Sequence, residues 1–272
     1  MEFEKRRTPP DGSYTRFDSN SEVTEEAFFE NEQIEEILAR LQYAAQKQWF
    51  ALLTGDCGTG KSTLVRKLSS TLSASDFQVL YLSDSQLKPY HFYHELLEQL
   101  GVTGRYSRGD AKRLLHREME LLWGVQGLKP VIMVDEAHLL EREMLEEIRF
   151  LLNYKMDSRN PLALILVGQT EIRDKLRKPV YTAIAQRLDL HCHLAHFDEA
   201  GTRSYLLHHL HYAESPSDIF SDEAIKEIFR YSAGSARLIN KACTHCLMYG
   251  EQHQKKIIDD HIVRYVIEKE LL

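Results

Sequence analysis

Gly55-Asp56-Cys57-Gly58-Thr59-Gly60-Lys61-Ser62 has the residue types and spacing of a phosphate-binding loop, G-x-x-x-x-G-K-[S/T]. Glycines let such a loop curl until successive backbone N–H groups face phosphate oxygens, and the helix behind it adds the positive end of its dipole. Lys61 then reaches the β- and γ-phosphates, the Ser62 hydroxyl is a magnesium ligand, and Thr63 follows on the first helical turn. The ligand predicted is a nucleoside triphosphate with Mg²⁺.

A second group of residues can act on what the loop holds. Val131-Ile132-Met133-Val134-Asp135-Glu136-Ala137-His138 is an apolar run ending in two acids. Asp135 is placed to hold Mg²⁺ through water, and Glu136 to orient and polarise the water that attacks the γ-phosphoryl group. His138 completes the letters D-E-A-H, without any other helicase-like block downstream. Gln169, at the end of the next apolar run, can sense the γ-phosphate; read alone, it is equally a turn former. Arg187 is suited to stabilising transition-state charge from a neighbouring subunit, with Arg173 and Arg177 as rivals. Arg237 stands on the first turn of a helix opened by Gly234, a position usual for a surface arginine.

The elements that must position these residues follow from hydrophobic patterning. Strands are predicted at 50–54, 78–82, 130–134, 162–168 and 188–194, with helices at 61–72, 90–100, 110–123 and 141–153 between them. Continuous apolar strands alternating with helices predict an α/β fold with a parallel sheet covered on both faces. A helical pattern runs from Glu25 to about Ala44, and from Asp198 onward only helices are expected, at 198–213, 221–232, 234–249 and near 258–270. The expected organisation is a mobile tail at 1–24, a nucleotide-binding domain at 25–197 and a small helical domain at 198–272.

Composition narrows the class. The chain has 272 residues, 43% hydrophobic and 28% charged, with a formal net charge of −7. No apolar run approaches the roughly 20 residues that span a bilayer. The charged opening Met1-Glu2-Phe3-Glu4-Lys5-Arg6-Arg7 is not a secretory signal, so a cytoplasmic protein without a membrane partner is expected. The acidic balance counts against coating nucleic acid by bulk attraction. Charge is uneven, however: residues 105–117 carry Arg105, Arg108, Lys112, Arg113 and Arg117 against Asp110 alone. Four cysteines make no disulfide framework at this size. Cys243-Thr244-His245-Cys246 and His191-Cys192-His193 could be drawn as a zinc site, but both cysteines fall on the apolar face of a predicted helix, where the sulfur acts as a small hydrophobe.

Taken together, these segments resemble the AAA+ ATPases, and more closely the ExeA-like (general secretion protein A) branch. The stretches that carry the likeness are Leu53 to Ser62, Val79 to Ser83, Asp135 to Leu140, Leu151-Leu152-Asn153-Tyr154-Lys155-Met156-Asp157-Ser158, Leu164 to Gln169 and Gly234 to Asn240. The resemblance implies an AAA+ P-loop fold with a C-terminal helical lid, ATP as substrate, Gln169 as sensor 1, Arg187 as arginine finger and Arg237 as sensor 2. It also implies rings or helical filaments with ATP at subunit interfaces. Secretion-type members continue into a membrane span and a peptidoglycan-binding region, neither of which this sequence contains, and its opening lacks their aromatic-rich segment. It is then most similar to the transposon-associated ATPases of the TnsC, TniB and MuB type. The expected function is an ATP-dependent transposition regulator that assembles on duplex DNA and recruits a transposase. Lys88, Arg105, Arg108, Lys112 and Arg113 are the candidate DNA contacts, since backbone-reading contacts need Lys or Arg. The alternative is an ExeA-like ATPase of secretion or envelope assembly that works without DNA.

Overall fold

A computed structural model describes residues 27–83, 88–104, 106–152 and 160–271. The N-terminal tail, Arg105 and the stretch Asn153 to Ser158 lie outside the described residues. The chain divides into two compact units. The α/β unit comprises Asn31–Asp56 and Lys61–Leu194; the helical unit comprises Ala195–Leu272, with Cys57–Gly60 and the described residues before Asn31.

In the α/β unit the elements are α1 (Glu32–Lys47), β1 (Phe50–Gly55), α2 (Lys61–Thr71), β2 (Phe77–Leu82), α3 (Pro89–Gln99), α4 (Arg108–Leu121), β3 (Lys129–Val134), α5 (Arg142–Leu152), β4 (Ala163–Gly168), α6 (Glu171–Leu176), α7 (Thr182–Ala185) and β5 (Leu190–Leu194). The five strands form one sheet in the order β2-β3-β4-β1-β5, and each strand pair is parallel. Patterning explains the order. All six residues of β1 and of β4, and five of the six in β3, are buried, as central strands covered on both faces require. β2 and β5 mix buried and accessible positions, and they are the two edges. Gln99 blunts the β2 edge: its amide accepts from Tyr81 N at 3.0 Å and donates to Tyr81 O at 2.8 Å. Phe50, Leu52, Leu80, Leu82, Ile132 and Leu164 from the strands share a core with Phe92, Tyr93 and Leu96 of α3, Leu115 of α4 and Ile148 of α5.

Caps set the helix starts. A helical pattern is expected from Glu25; within the described residues α1 begins at Glu32, because Asn31 Oδ1 accepts from Ile34 N at 2.9 Å. α4 starts two residues earlier than its apolar periodicity suggests, because Ser107 Oγ accepts from Asp110 N. The helical unit contains α8 (Glu199–Tyr212), α9 (Asp222–Ser232), α10 (Ala236–Gln252) and α11 (Asp260–Glu270), with Asp198, Ser221 and Asp259 capping α8, α9 and α11. Phe29 enters this unit and packs edge-on against Phe197 and Tyr205, with ring centroids 5.6 and 5.4 Å away. Gly234 has φ +79°, and a Cβ there would sit 1.8 Å from Phe197 O, so only glycine permits this approach. Among the described residues no helix is long and apolar enough to cross a membrane.

Candidate active site

In the α/β unit the phosphate-loop ends are set by the strand and helix they join. β1 delivers Gly55 and then Asp56, and α2 opens on Lys61. Lys61 is buried, and its Nζ donates to Gly55 O and Asp56 O, both at 2.8 Å. These are carbonyl contacts that a phosphate oxygen can replace with a stronger, charge-assisted partner. Thr170 Oγ1 donates to Asp56 Oδ1 at 3.0 Å and holds the loop's first turn to the residue after Gln169.

β3 ends beside this point and presents Asp135, which is 4% exposed. Three donors converge on its carboxylate. Ser62 Oγ and Tyr81 Oη each lie 2.9 Å from Oδ2, and Glu136 N lies 2.8 Å from Oδ1. A serine hydroxyl and a carboxylate in direct contact are hard oxygen donors of the kind magnesium takes, so the residues present fit that ion. Burial, and then the Asp135 carboxylate, push the Tyr81 phenol well above its ordinary range, so it stays a donor.

The next turn holds the other acid. Glu136 has φ +49°, a left-handed conformation that a non-glycine residue adopts at a cost of order 1 kcal/mol. That conformation turns the chain sharply off β3, and the Glu136 side chain is half exposed. His138 Nδ1 lies 3.3 Å from Glu136 Oε2, and His138 Nε2 lies 3.1 Å from Gln169 Nε2. Lys175 Nζ pins the turn through His138 O at 2.7 Å and Leu140 O at 2.9 Å. Lys61, Ser62, Asp135, Glu136 and Gln169 therefore stand in this unit with the phosphate-loop ends, on the C-terminal side of the parallel strands, where ligands of open α/β sheets bind.

Arg173 lies on α6, and the largely exposed Arg177 lies just past its end; each has a guanidinium nitrogen 3.8 Å from Asp174 Oδ1. Arg187 is half-buried between α7 and β5. On β5, His191 Nε2 and His193 Nδ1 lie 2.9 and 3.1 Å from the buried Thr54 hydroxyl. Burial, with Arg173, His193 and Arg177 nearby, lowers the pKa of His191.

In the helical unit the middle of the loop meets the start of α10. Gly58 and Gly60 have φ +81° and +100°. Gly58 O accepts from Arg237 N at 3.2 Å and from Ser235 Oγ at 3.4 Å, while Arg237 Nη1 lies 3.3 Å from Cys57 Sγ. A Cβ on Gly58 would come within 2.5 Å of Ser235 Oγ. Thr59 is buried and Thr63 half-buried. Cys243 and Cys246 lie on the buried face of α10; burial raises both thiols, Cys246 to about 12. Among the described residues no group of three or more His, Cys, Asp or Glu forms a metal cluster.

The candidate DNA contacts behave differently from a free basic face. Lys88 is exposed ahead of α3. Arg108 lies 2.8 Å from Glu143 Oε1 and 2.5 Å from Glu147 Oε2, and Lys112 Nζ lies 2.7 Å from Glu147 Oε1. The Tyr93 hydroxyl donates to Glu147 Oε1 at 2.6 Å. Burial alone would raise the Glu147 carboxyl; hydrogen bonds from Lys112, Tyr93 and Arg108 outweigh it and hold the pKa at about 2. Arg113 pairs with Asp110 at 2.5 Å on the surface of α4.

Sequence reasoning missed Tyr81, Thr170, Lys175 and Ser235 as neighbours of these groups. Tyr81 had one available signal, an aromatic hydroxyl on the strand beside the acid-bearing one. The other three depend on long-range placement.

Comparison with known proteins agrees with this geometry. The AAA domain family matches residues 44–176. General secretion pathway protein A of Aeromonas hydrophila is 31% identical over 217 residues, covering 78% of this chain and 39% of that protein. The ATP-dependent target DNA activator B of Escherichia phage Mu is 27% identical over 146 residues, covering 53% of this chain and 43% of that protein. The chain thus spans less than half the length of either relative. Among solved structures, Cdc6p of Pyrobaculum aerophilum superposes with a TM-score of 0.69 at 18% identity, covering 93% of this chain and 70% of the other. The RuvB branch-migration motor of Thermotoga maritima gives 0.56 at 17%, covering 89% and 70%. With its phosphate loop, its acid-tipped β3 and its five-stranded parallel sheet, the chain has the AAA+ ATPase fold, and residues 44–176 match the AAA domain family.

Proposed function

We propose that this chain is the motor of an ExeA-like assembly ATPase, which couples ATP hydrolysis to self-association and to work on a secretion or envelope partner. Lys61 leaves the Gly55 and Asp56 carbonyls for the β- and γ-phosphates, and the loop N–H groups from Asp56 to Ser62 bind the remaining phosphate oxygens. Ser62 and Asp135 would hold magnesium, which supplies charge neutralisation on the phosphates. Glu136 accepts the proton of the attacking water, Gln169 contacts the γ-phosphate, and Arg187 acts from a neighbouring subunit. Arg237 serves as the lid's sensor. The nucleotide-binding domain then runs over 25–197 and the lid over 198–272, with a tail at 1–24, in a cytoplasmic protein.

The observation that favours this reading over one built on DNA is the engagement of α4. Arg108 and Lys112 are committed to Glu147 and Glu143, and phosphate contacts would have to break those pairs. The 31% identity to general secretion pathway protein A points the same way. A second reading, an ATP-dependent transposition regulator on duplex DNA that recruits a transposase, is favoured by the likeness to the phage Mu target DNA activator. Lys88, Arg105 and Arg113 would then be its first contacts.

Negative-stain microscopy and sedimentation with ATP, with and without duplex DNA, separate the two. ATP-dependent oligomers indifferent to DNA support the first reading. Salt-sensitive DNA binding that requires ATP supports the second. Lys61→Ala is expected to lose roughly 10- to 100-fold in nucleotide affinity, and assembly with it. Unchanged nucleotide-dependent assembly by that variant would refute both.

A further inference from the structure

We propose that His138 is a positioning residue that couples γ-phosphate sensing at Gln169 to the Glu136 carboxylate. The inference rests on the roles given to Glu136 and Gln169 above. Its basis is a juxtaposition that the motif letters do not reveal. His138 Nε2 faces the Gln169 amide nitrogen at 3.1 Å, and on the other side of the ring Nδ1 lies 3.3 Å from Glu136 Oε2.

An amide nitrogen only donates, so the ring nitrogen facing it must accept. That places the imidazole proton on Nδ1, the side of the carboxylate. Nδ1 is buried and makes no hydrogen bond among the described residues. A buried donor without an acceptor is destabilising, and Glu136 Oε2 is poised to relieve it after a small rotation. When Gln169 turns its amide toward a γ-phosphate, the ring loses its donor at Nε2. His138 is then free to reorient, and the Glu136 carboxylate moves with it.

The backbone makes this linkage stiff. Gly168, the last residue of β4, runs so close to the 137–139 turn that a Cβ there would sit 3.0 Å from His138 N and 3.3 Å from Ala137 N. A side chain at Gly168 would require that turn to give by a few tenths of an ångström. From α6, Lys175 Nζ fastens the His138 carbonyl. The His138 backbone is thus held on both flanks, by Gly168 and by Lys175.

The test uses His138→Leu, His138→Gln, His138→Asn, Gln169→Ala and the His138→Leu/Gln169→Ala double variant, with Glu136→Gln as reference. For each, kcat and KM for ATP, affinity for a non-hydrolysable ATP analogue and the unfolding midpoint are measured. Expected for His138→Leu is a kcat lower by about tenfold or more, with analogue affinity within about twofold of the parent. Glutamine, long enough to reach both partners, recovers most of the rate; asparagine, polar but too short, does not. The double variant is no slower than the worse single variant, as expected of residues acting in series.

Parental kcat in His138→Leu, multiplying losses in the double variant, or equal rates for the Gln and Asn variants would each overturn the proposal. Should the leucine variant not fold, the Gln–Asn comparison decides. Glu136→Gln separates the two levels. If it turns over ATP at the parental rate, the assignment of the base itself is wrong. If it is inactive while the His138 variants are unimpaired, only the coupling is wrong.

Discussion

Glu147→Gln is the sharpest test of what the basic segment does. The Glu147 side chain is 5% exposed and takes Arg108 at 2.5 Å, Lys112 at 2.7 Å and the Tyr93 hydroxyl at 2.6 Å. Its pKa falls from an ordinary 4.5 to about 2. At 1.36 kcal/mol per pH unit that corresponds to about 3 kcal/mol of stabilisation at neutral pH. Arg108 is half exposed, and solvent screening brings the expected loss on neutralising Glu147 to about 2 kcal/mol. With a urea slope of about 2 kcal/mol per molar, the unfolding midpoint should drop by about 1 M at pH 7. Trp49 and Trp123 both lie in the α/β unit, so tryptophan fluorescence reports on the unit that is perturbed. The sign of the pH dependence is fixed by the depressed carboxyl. Its contribution is complete above about pH 5 and is lost as pH falls toward 2. The gap between parent and variant should narrow by about a quarter at pH 4 and by more than half at pH 3. A midpoint within about 0.3 M of the parent at pH 7, or a gap constant from pH 7 to pH 3, would refute the claim that Arg108 and Lys112 are structural partners of this carboxylate.

Three further outcomes rest on the geometry of other residues. Gly234→Ala should destabilise the helical unit by about 3 kcal/mol or more, since the new Cβ would meet Phe197 O at 1.8 Å with φ at +79°; an unchanged thermal midpoint contradicts this. Burial, and secondarily His208, depress the pKa of His209 to about 4, so the folded chain keeps it neutral. Stability should fall as pH drops below about 6.5, by at most about 3 kcal/mol well below pH 4, and His209→Leu should flatten that limb of a pH–melting profile. Tyr81→Phe removes a donor from Asp135 Oδ2 and should weaken binding of a fluorescent nucleotide by about threefold to tenfold with magnesium present. Equal weakening in chelator would count against Asp135 as a magnesium ligand.

The phosphate loop, the acids at the end of β3 and the parallel sheet are all legible in the sequence. Each is written in local terms. Two loop glycines can take φ above +80°, a run such as Leu162 to Gly168 has no polar face, and Asp135-Glu136 ends a strand by composition alone. Strand 162–168 is observed as Ala163–Gly168 and helix 90–100 as Pro89–Gln99, because burial on both faces or on one stripe leaves a period in the sequence. The start of α1 was misplaced because Phe28 and Phe29 continue the apolar rhythm. Phe29 in fact packs on Phe197 and Tyr205 in the helical unit, while Asn31 begins the helix.

Charge and hydrogen-bond partners carry no such period. Arg108 and Lys112 look identical in sequence whether they face DNA or Glu147, which stands 39 and 35 positions away along the chain. The same holds for Tyr81 on Asp135, 54 residues on, and for His138 on Gln169, 31 residues on. Sequence by itself determined that this chain carries a triphosphate loop on a parallel α/β sheet, because hydrophobic burial and backbone freedom are properties of short segments. Tertiary structure alone decided which cations are already paired and which ring stands between Glu136 and Gln169. A side chain of about 6 Å can meet only what the fold brings to it, and strand order places those partners.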